Sequence, residues 1–156
     1  MPYTYEYPRP AVTVDTAVFS PQGDRLFVLL IQRKHAPFEG AWALPGGFVD
    51  ENEPLEHAAH RELREETGLT GLTLEQVGAF GDPGRDPRGH TVSVAFVTEA
   101  DQASVKPEAG DDAAKVAWHE WSTLRLARDD AAEAGKVPLA FDHDRVLLAA
   151  RAKRGR

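Results

Sequence analysis

Glu62, Glu65 and Glu66 stand close together in the stretch EPLEHAAHRELREETGL, residues 53–69. Carboxylates at such spacing can hold a divalent cation or accept a proton, provided that the chain turns them toward one place. The stretch predicts a helix over Pro54 to Thr67. Pro54 suits a first helical turn and Gly68 suits the position just past the end. At about 100° per residue, with Leu55 set at zero, Ala58 lies at about 300°, Ala59 at about 40° and Leu63 at about 80°. On the same scale Glu62 falls at about 340°, Glu66 at about 20° and Glu65 at about 280°. The carboxylates therefore lie within or beside the apolar stripe, whereas Glu56, His57, His60 and Arg64 point away. An acidic helix is ordinarily a solvated face, which would set its charges opposite the apolar stripe. Here the order is reversed. Inward carboxylates are costly unless paired or bound to a cation, and Arg61 offsets only part of the charge. Oxygen ligands suit a hard divalent ion, and Mg²⁺ fits phosphate chemistry best.

The wider run fits G-x5-E-x7-R-E-(apolar)-x-E-E-x-G-(apolar) at every fixed position: Gly47, Glu53, Arg61, Glu62, Leu63, Glu65, Glu66, Gly68 and Leu69. This pattern resembles the signature of the Nudix hydrolases. The resemblance implies a metal-dependent pyrophosphohydrolase with Mg²⁺ as cofactor and Mn²⁺ as a substitute. It implies that Glu62, Glu65, Glu66 and the Gly46 carbonyl are metal ligands, and that Glu53 and Arg61 hold those ligands in place. Arg61 and Glu65 are spaced i, i+4, so an ion pair between them is sterically allowed. The chemistry is attack of water on a pyrophosphate phosphorus, and a carboxylate must take the proton. Similar enzymes place that base either in the glutamate run or on a later acidic loop. Glu65 or Glu66 is the first choice here. Asp111 or Asp112, in Glu108-Ala-Gly-Asp-Asp112, is the second, against the plainer reading of an exposed acidic turn.

Guanidinium groups suit phosphate oxygens, and Arg33, Arg85 and Arg88 are the candidates for substrate contact. Arg85 and Arg88 lie in Gly81-Asp-Pro-Gly-Arg-Asp-Pro-Arg-Gly-His90, where proline and glycine predict a structured turn. The segment RDPRGHTVSVAF resembles ADP-ribose pyrophosphatases of the Nudix family, and regulators related to them. Phe141-Asp-His143 recurs in such relatives and is expected to cap the last helix. Trp42, Trp118 and Trp121 are read as core aromatics before purine platforms. His57, His60 and His119 are read as surface residues.

The elements that must position these groups follow from patterning. Val12, Val14, Thr16 and Val18 alternate as in a strand, and Arg25 to Gln32 is an apolar run suited to a central strand. Pro21 to Asp24 joins them as a hairpin turn. Leu72 to Phe80, Thr91 to Thr98 and Lys115 to Trp121 read as further strands. Asp144 to Lys153 reads as a helix whose terminal charges suit the macrodipole. Ala127 to Gly135 reads as a short helix or a loop. Strands mixed with helices imply an α/β fold. The resemblance specifies an α/β/α sandwich around a mixed sheet, one domain over 1–156 with its core at about 12–150.

The chain has 156 residues, 42% hydrophobic and 28% charged, which suits one domain with a real core. It has no cysteine, so thiolate sites are excluded and a reducing cytoplasm is the expected setting. A net charge of −7 argues against a general nucleic-acid binder, and no apolar run is long enough to span a membrane. The expected partner is a small nucleotide, with ADP-ribose cleaved to AMP and ribose 5-phosphate. Other substrates sharing the glutamate run are NADH, a dinucleoside polyphosphate or an oxidised nucleoside triphosphate. An ADP-ribose-sensing regulator is the non-catalytic alternative. The chain ending at Arg156 with every glutamate of the run intact is read against it. Similar enzymes are commonly homodimers, and the resemblance allows that arrangement.

Overall fold

The computed structural model describes residues 2–103, 113–126 and 136–154. A mixed seven-stranded sheet carries one helix on each face. Strand β1 (Ala11–Gln22) pairs antiparallel with β2 (Arg25–Arg33) through a tight turn, in which Gly23 adopts φ 64°. On its other side β1 runs parallel to β6 (Thr91–Glu99) along its length. β5 (Glu75–Phe80) is antiparallel to β6, and β7 (Ala113–Glu120) is antiparallel to β2. The short β3 (Trp42–Ala43) pairs with β2, and β4 (Gly46–Phe48) pairs with β1. Helix α1 spans Leu55–Thr67 and α2 spans His143–Arg154. No helix among the described residues is long and apolar enough to cross a membrane.

Side chains sort between the two faces by strand periodicity. Val14 and Val18 of β1, Leu29 of β2 and Phe96 of β6 pack with Ala58, Ala59 and Leu63 of α1. Their neighbours Ala17, Phe19, Val28, Leu30, Ala95 and Val97 pack with Val146, Leu147 and Ala150 of α2. This is the α/β/α sandwich around a mixed sheet that the resemblance implies. The alternation in β1 does not mark a half-solvated strand, however. Its residues Thr13 to Ser20 are buried without a break, because helices cover both faces.

One feature of the register makes room for a site. Along a single edge, β1 pairs with β4 at Thr13 to Asp15 and with β2 at Phe19 to Gln22. The sheet forks between those two partners. A cavity of about 450 Å³ opens there, lined by Thr13 and Asp15 of β1, Ile31 and Arg33 of β2, and Gly46 to Phe48 of β4.

Candidate active site

Helix α1 delivers the acidic wall. Its C-terminal end matches the expectation, with Gly68 in the left-handed conformation at φ 79° and its N–H donating to the Arg64 carbonyl, whereas Pro54 stands one place outside the helix as its extended N-cap and not in the first turn. Ala58, Ala59 and Leu63 are fully buried, and they draw the glutamates of the same stripe inward. Glu66 is 8% exposed, and the Glu62 side chain is 14% exposed. Both line the cavity, with Asp15. Glu65 lies at the outer edge of the stripe, half exposed, and is not part of the cavity wall.

Arg61 ties this wall together. Its Nε and Nη2 donate to the Glu53 carboxylate at 2.7 and 2.9 Å, and its Nη1 donates to Glu62 at 2.8 Å and to Glu65 at 3.2 Å. Nη2 also reaches the Phe48 carbonyl at 3.1 Å, linking the helix to β4. The guanidinium holds the Glu53 carboxyl down at about 2, and the Asp50 amide adds to the effect. Glu53 and Arg61 thus sit where orienting partners of ligand carboxylates would be needed.

Glu66 is left less well compensated. It accepts a long hydrogen bond from the Gly46 amide at 3.4 Å, and it makes no ion pair within 4 Å among the described residues. Burial, followed by the neighbouring Glu62, pushes its carboxyl up to about 9. A side chain on Gly47 would meet the Glu62 carboxylate at 2.6 Å, and one on Gly46 would collide with the Val14 carbonyl and Asp15. The glycines therefore let backbone approach carboxylate closely. No three acidic or histidine side chains form a finished metal cage among the described residues. The donor set is nevertheless all oxygen, crowded and short of positive charge, and it fits a hard divalent cation.

The basic wall is built from distant segments. Arg85 is almost fully buried and grips Asp142 with two hydrogen bonds of 3.0 and 2.6 Å. The Asp142 carboxylate is therefore not a helix cap as expected, although its carbonyl accepts the Arg145 and Val146 amides at the start of α2. Arg88 is held by Asp86, which is 4% exposed, through Nε and Nη2 at 3.1 and 2.9 Å. Arg33 donates from Nε to the Pro37 carbonyl at 2.6 Å and has no carboxylate within 4 Å among the described residues. Burial and the nearby Arg88 lower its pKa. All three arginines line the cavity. Asp111 and Asp112 lie outside the described residues.

Sequence reasoning misses a buried polar group in the wall of this cavity. His143 is 4% exposed, and its Nδ1 accepts the Leu44 amide at 3.0 Å. That bond leaves the proton of the neutral ring on Nε2, which faces Asp15 at 3.7 Å. Burial lowers the His143 pKa and keeps the ring neutral. Asp15 in turn accepts the Ser93 hydroxyl proton. Asp15, the one charged residue of β1, was the available signal. The tryptophans are partly buried and pack against the core outside the cavity: Trp42 and Trp121 toward α2 and Trp118 toward α1. The aromatics of the cavity are instead Phe48 and Phe141.

Carboxylates and three arginines facing one cavity, with Arg85 buried and Arg88 partly exposed, could hold an anionic phosphate group and a cation. The model of the NUDIX domain matches residues 9–141, and the chain belongs to the Nudix family. It is 41% identical over 151 residues to the ADPR responsive transcriptional repressor NtrR of Acinetobacter baylyi, covering 95% of this chain and 56% of the repressor. It is 38% identical over 141 residues to the ADP-ribose pyrophosphatase of Methanocaldococcus jannaschii, covering 90% of this chain and 73% of that enzyme. The chain thus spans little more than half the length of the repressor it matches. Among solved structures, the NUDIX domain of Shewanella oneidensis NrtR complexed with ADP ribose superposes with a TM-score of 0.80 at 31% identity, covering 95% of this chain and 90% of that one.

Proposed function

We propose that this chain hydrolyses the pyrophosphate bond of ADP-ribose, releasing AMP and ribose 5-phosphate. The observation that carries this reading is the cavity in which Glu62 and Glu66 share a wall system with Arg33, Arg85 and Arg88. The likeness to an ADP-ribose pyrophosphatase and to a domain complexed with ADP ribose supports the choice of substrate.

Glu62, Glu65, Glu66 and the Gly46 carbonyl are the groups we assign to a Mg²⁺ or Mn²⁺ ion. Such an ion, when bound, withdraws charge from phosphate oxygens and acidifies water. Arg61 and Glu53 orient the glutamates. Arg33 binds the diphosphate, since its terminal nitrogens face no competing carboxylate among the described residues. Arg85, committed to Asp142, stiffens the loop that follows β5. Glu65 or Glu66 accepts the proton of the attacking water, with Asp111 or Asp112 as the alternative.

The test is a substrate panel with Mg²⁺, with products separated by chromatography. ADP-ribose should be cleaved faster than NADH, a diadenosine polyphosphate or an oxidised nucleoside triphosphate, and a chelator should stop turnover. Faster cleavage of a competitor overturns the substrate, and full activity after thorough demetallation overturns the metal. A second reading is favoured by the likeness to the repressor: ADP-ribose is bound as a signal and not cleaved. DNA binding that responds to ADP-ribose, without turnover, would establish it.

A further inference from the structure

An exposed phenylalanine is ordinary by itself. Phe48 is set apart by its place: it is 46% exposed, and it lies in the cavity wall. It stands on β4 directly after the glycines that touch the acidic wall. The Arg88 guanidinium lies 5.2 Å from its ring centre and 5.5 Å from that of Phe141, the other cavity aromatic. Phe141 is itself fixed, with φ 54°, the Arg33 guanidinium 4.9 Å from its centre, and Phe38 at 4.9 Å.

Arg88 is immobilised more than a phosphate ligand needs to be. Asp86 accepts from its backbone amide at 2.9 Å as well as from the guanidinium. The buried carboxylate offsets the charge that a phosphate would seek, yet it leaves the guanidinium plane in a fixed orientation. A fixed plane near two aromatic rings suits a flat, uncharged ring, which stacks on aromatic faces and on guanidinium planes alike. Arg33 has the opposite character: it lies beside the same Phe141 ring but has no carboxylate within 4 Å among the described residues.

We infer that Phe48, Arg88 and Phe141 form the nucleobase subsite of this cavity, and that Arg33 takes the phosphate next to it. The inference deepens the reading of a nucleotide substrate and rests on it. It divides the arginines by chemistry: Arg88 recognises a base, Arg33 a charge.

The experiment is calorimetric titration of the full chain with AMP and, separately, with ribose 5-phosphate. Phe48→Ala should weaken AMP by about tenfold or more, as expected for losing one stacked aromatic, and leave ribose 5-phosphate unchanged. Phe48→Leu keeps apolar volume and removes the π-face, so it should show the same selective loss even if the alanine variant folds poorly. Phe48→Tyr should bind AMP as the unaltered protein does. Equal weakening of both ligands, or undiminished AMP binding in Phe48→Leu, overturns the subsite. The two readings fail separately. If the unaltered protein leaves ADP-ribose intact but binds AMP in a Phe48-dependent way, the proposed reaction falls and the subsite stands. If it cleaves ADP-ribose and Phe48→Leu binds AMP normally, the subsite alone falls.

Discussion

On the acidic wall of the cavity, Glu66 is buried beside Glu62 without an ion-pair partner within 4 Å among the described residues, and its carboxyl is pushed up to about 9. On the basic wall, Arg85 and Arg88 each have a carboxylate of their own, Asp142 and Asp86. The difference shows which charges await a ligand. A buried charge with a matched partner is part of the scaffold, and removing the partner is what costs stability. A buried charge without one is poised to be neutralised by something from outside. On the proposed reading, Glu66, whose carboxyl keeps its proton up to about 9 in the metal-free protein, gives that proton up to a cation, and Arg33 takes an anion, while Arg85 is structural.

The largest effect should come from the acidic wall. Glu66→Gln keeps size and removes the charge, so kcat should fall by about 10²-fold or more, as for loss of a metal ligand or base. The thermal midpoint of the metal-free protein should not fall. Glu65→Gln should bring a comparable loss of kcat if Glu65 turns inward when the cation binds; near-normal turnover in both variants would relocate the metal site. The linkage has a definite sign. An unfolded glutamate titrates near 4.5, whereas folded Glu66 holds its proton to about 9. Between those values the unfolded chain releases a proton that the folded chain keeps, so metal-free stability should fall as pH rises. Melts in chelator over roughly pH 5 to 9 should show that slope, and Glu66→Gln should flatten it.

On the basic wall, the two arginines should fail in different ways. Arg85→Ala leaves the Asp142 carboxylate without its partner and should cost roughly 3 kcal/mol in denaturant unfolding. Arg33→Ala should leave unfolding almost unchanged and lower kcat/KM by about ten- to a hundredfold, the worth of one charge-assisted contact. If Arg33→Ala unfolds the protein while Arg85→Ala lowers only kcat/KM, the division between structural and ligand-binding arginines is reversed. The smallest effect belongs to Glu56→Gln. Glu56 is on the exposed face of α1, and its turnover and melting should match those of the unaltered protein.

The same contrast explains what could be read early. The acidic wall is local. Helical spacing alone sets Glu62 and Glu66 in the stripe of Ala58, Ala59 and Leu63, so the burial of both follows from residues within three turns. Arg61 at i, i+4 from Glu65 is equally local. The basic wall is not. Arg85 meets Asp142 across 57 positions of sequence, and His143 meets Leu44 across 99. No periodicity carries such pairs, and so Asp142 read as a helix cap and Arg85 as a free guanidinium.

The sequence by itself determined the helix of the glutamate run, the longer strands, the α/β class and the inward turn of Glu62 and Glu66, though not of Glu65, because each depends on periodicity or on residue type over a short span. Only the tertiary structure decided where β1 changes partner and opens the cavity. It also decided that Asp15 and His143 meet, buried, in the wall of that cavity, that Arg85 and Arg88 are already paired with carboxylates, and that phenylalanines rather than tryptophans line it. Those outcomes depend on which distant groups meet, and on how much water is removed from each charge when they do.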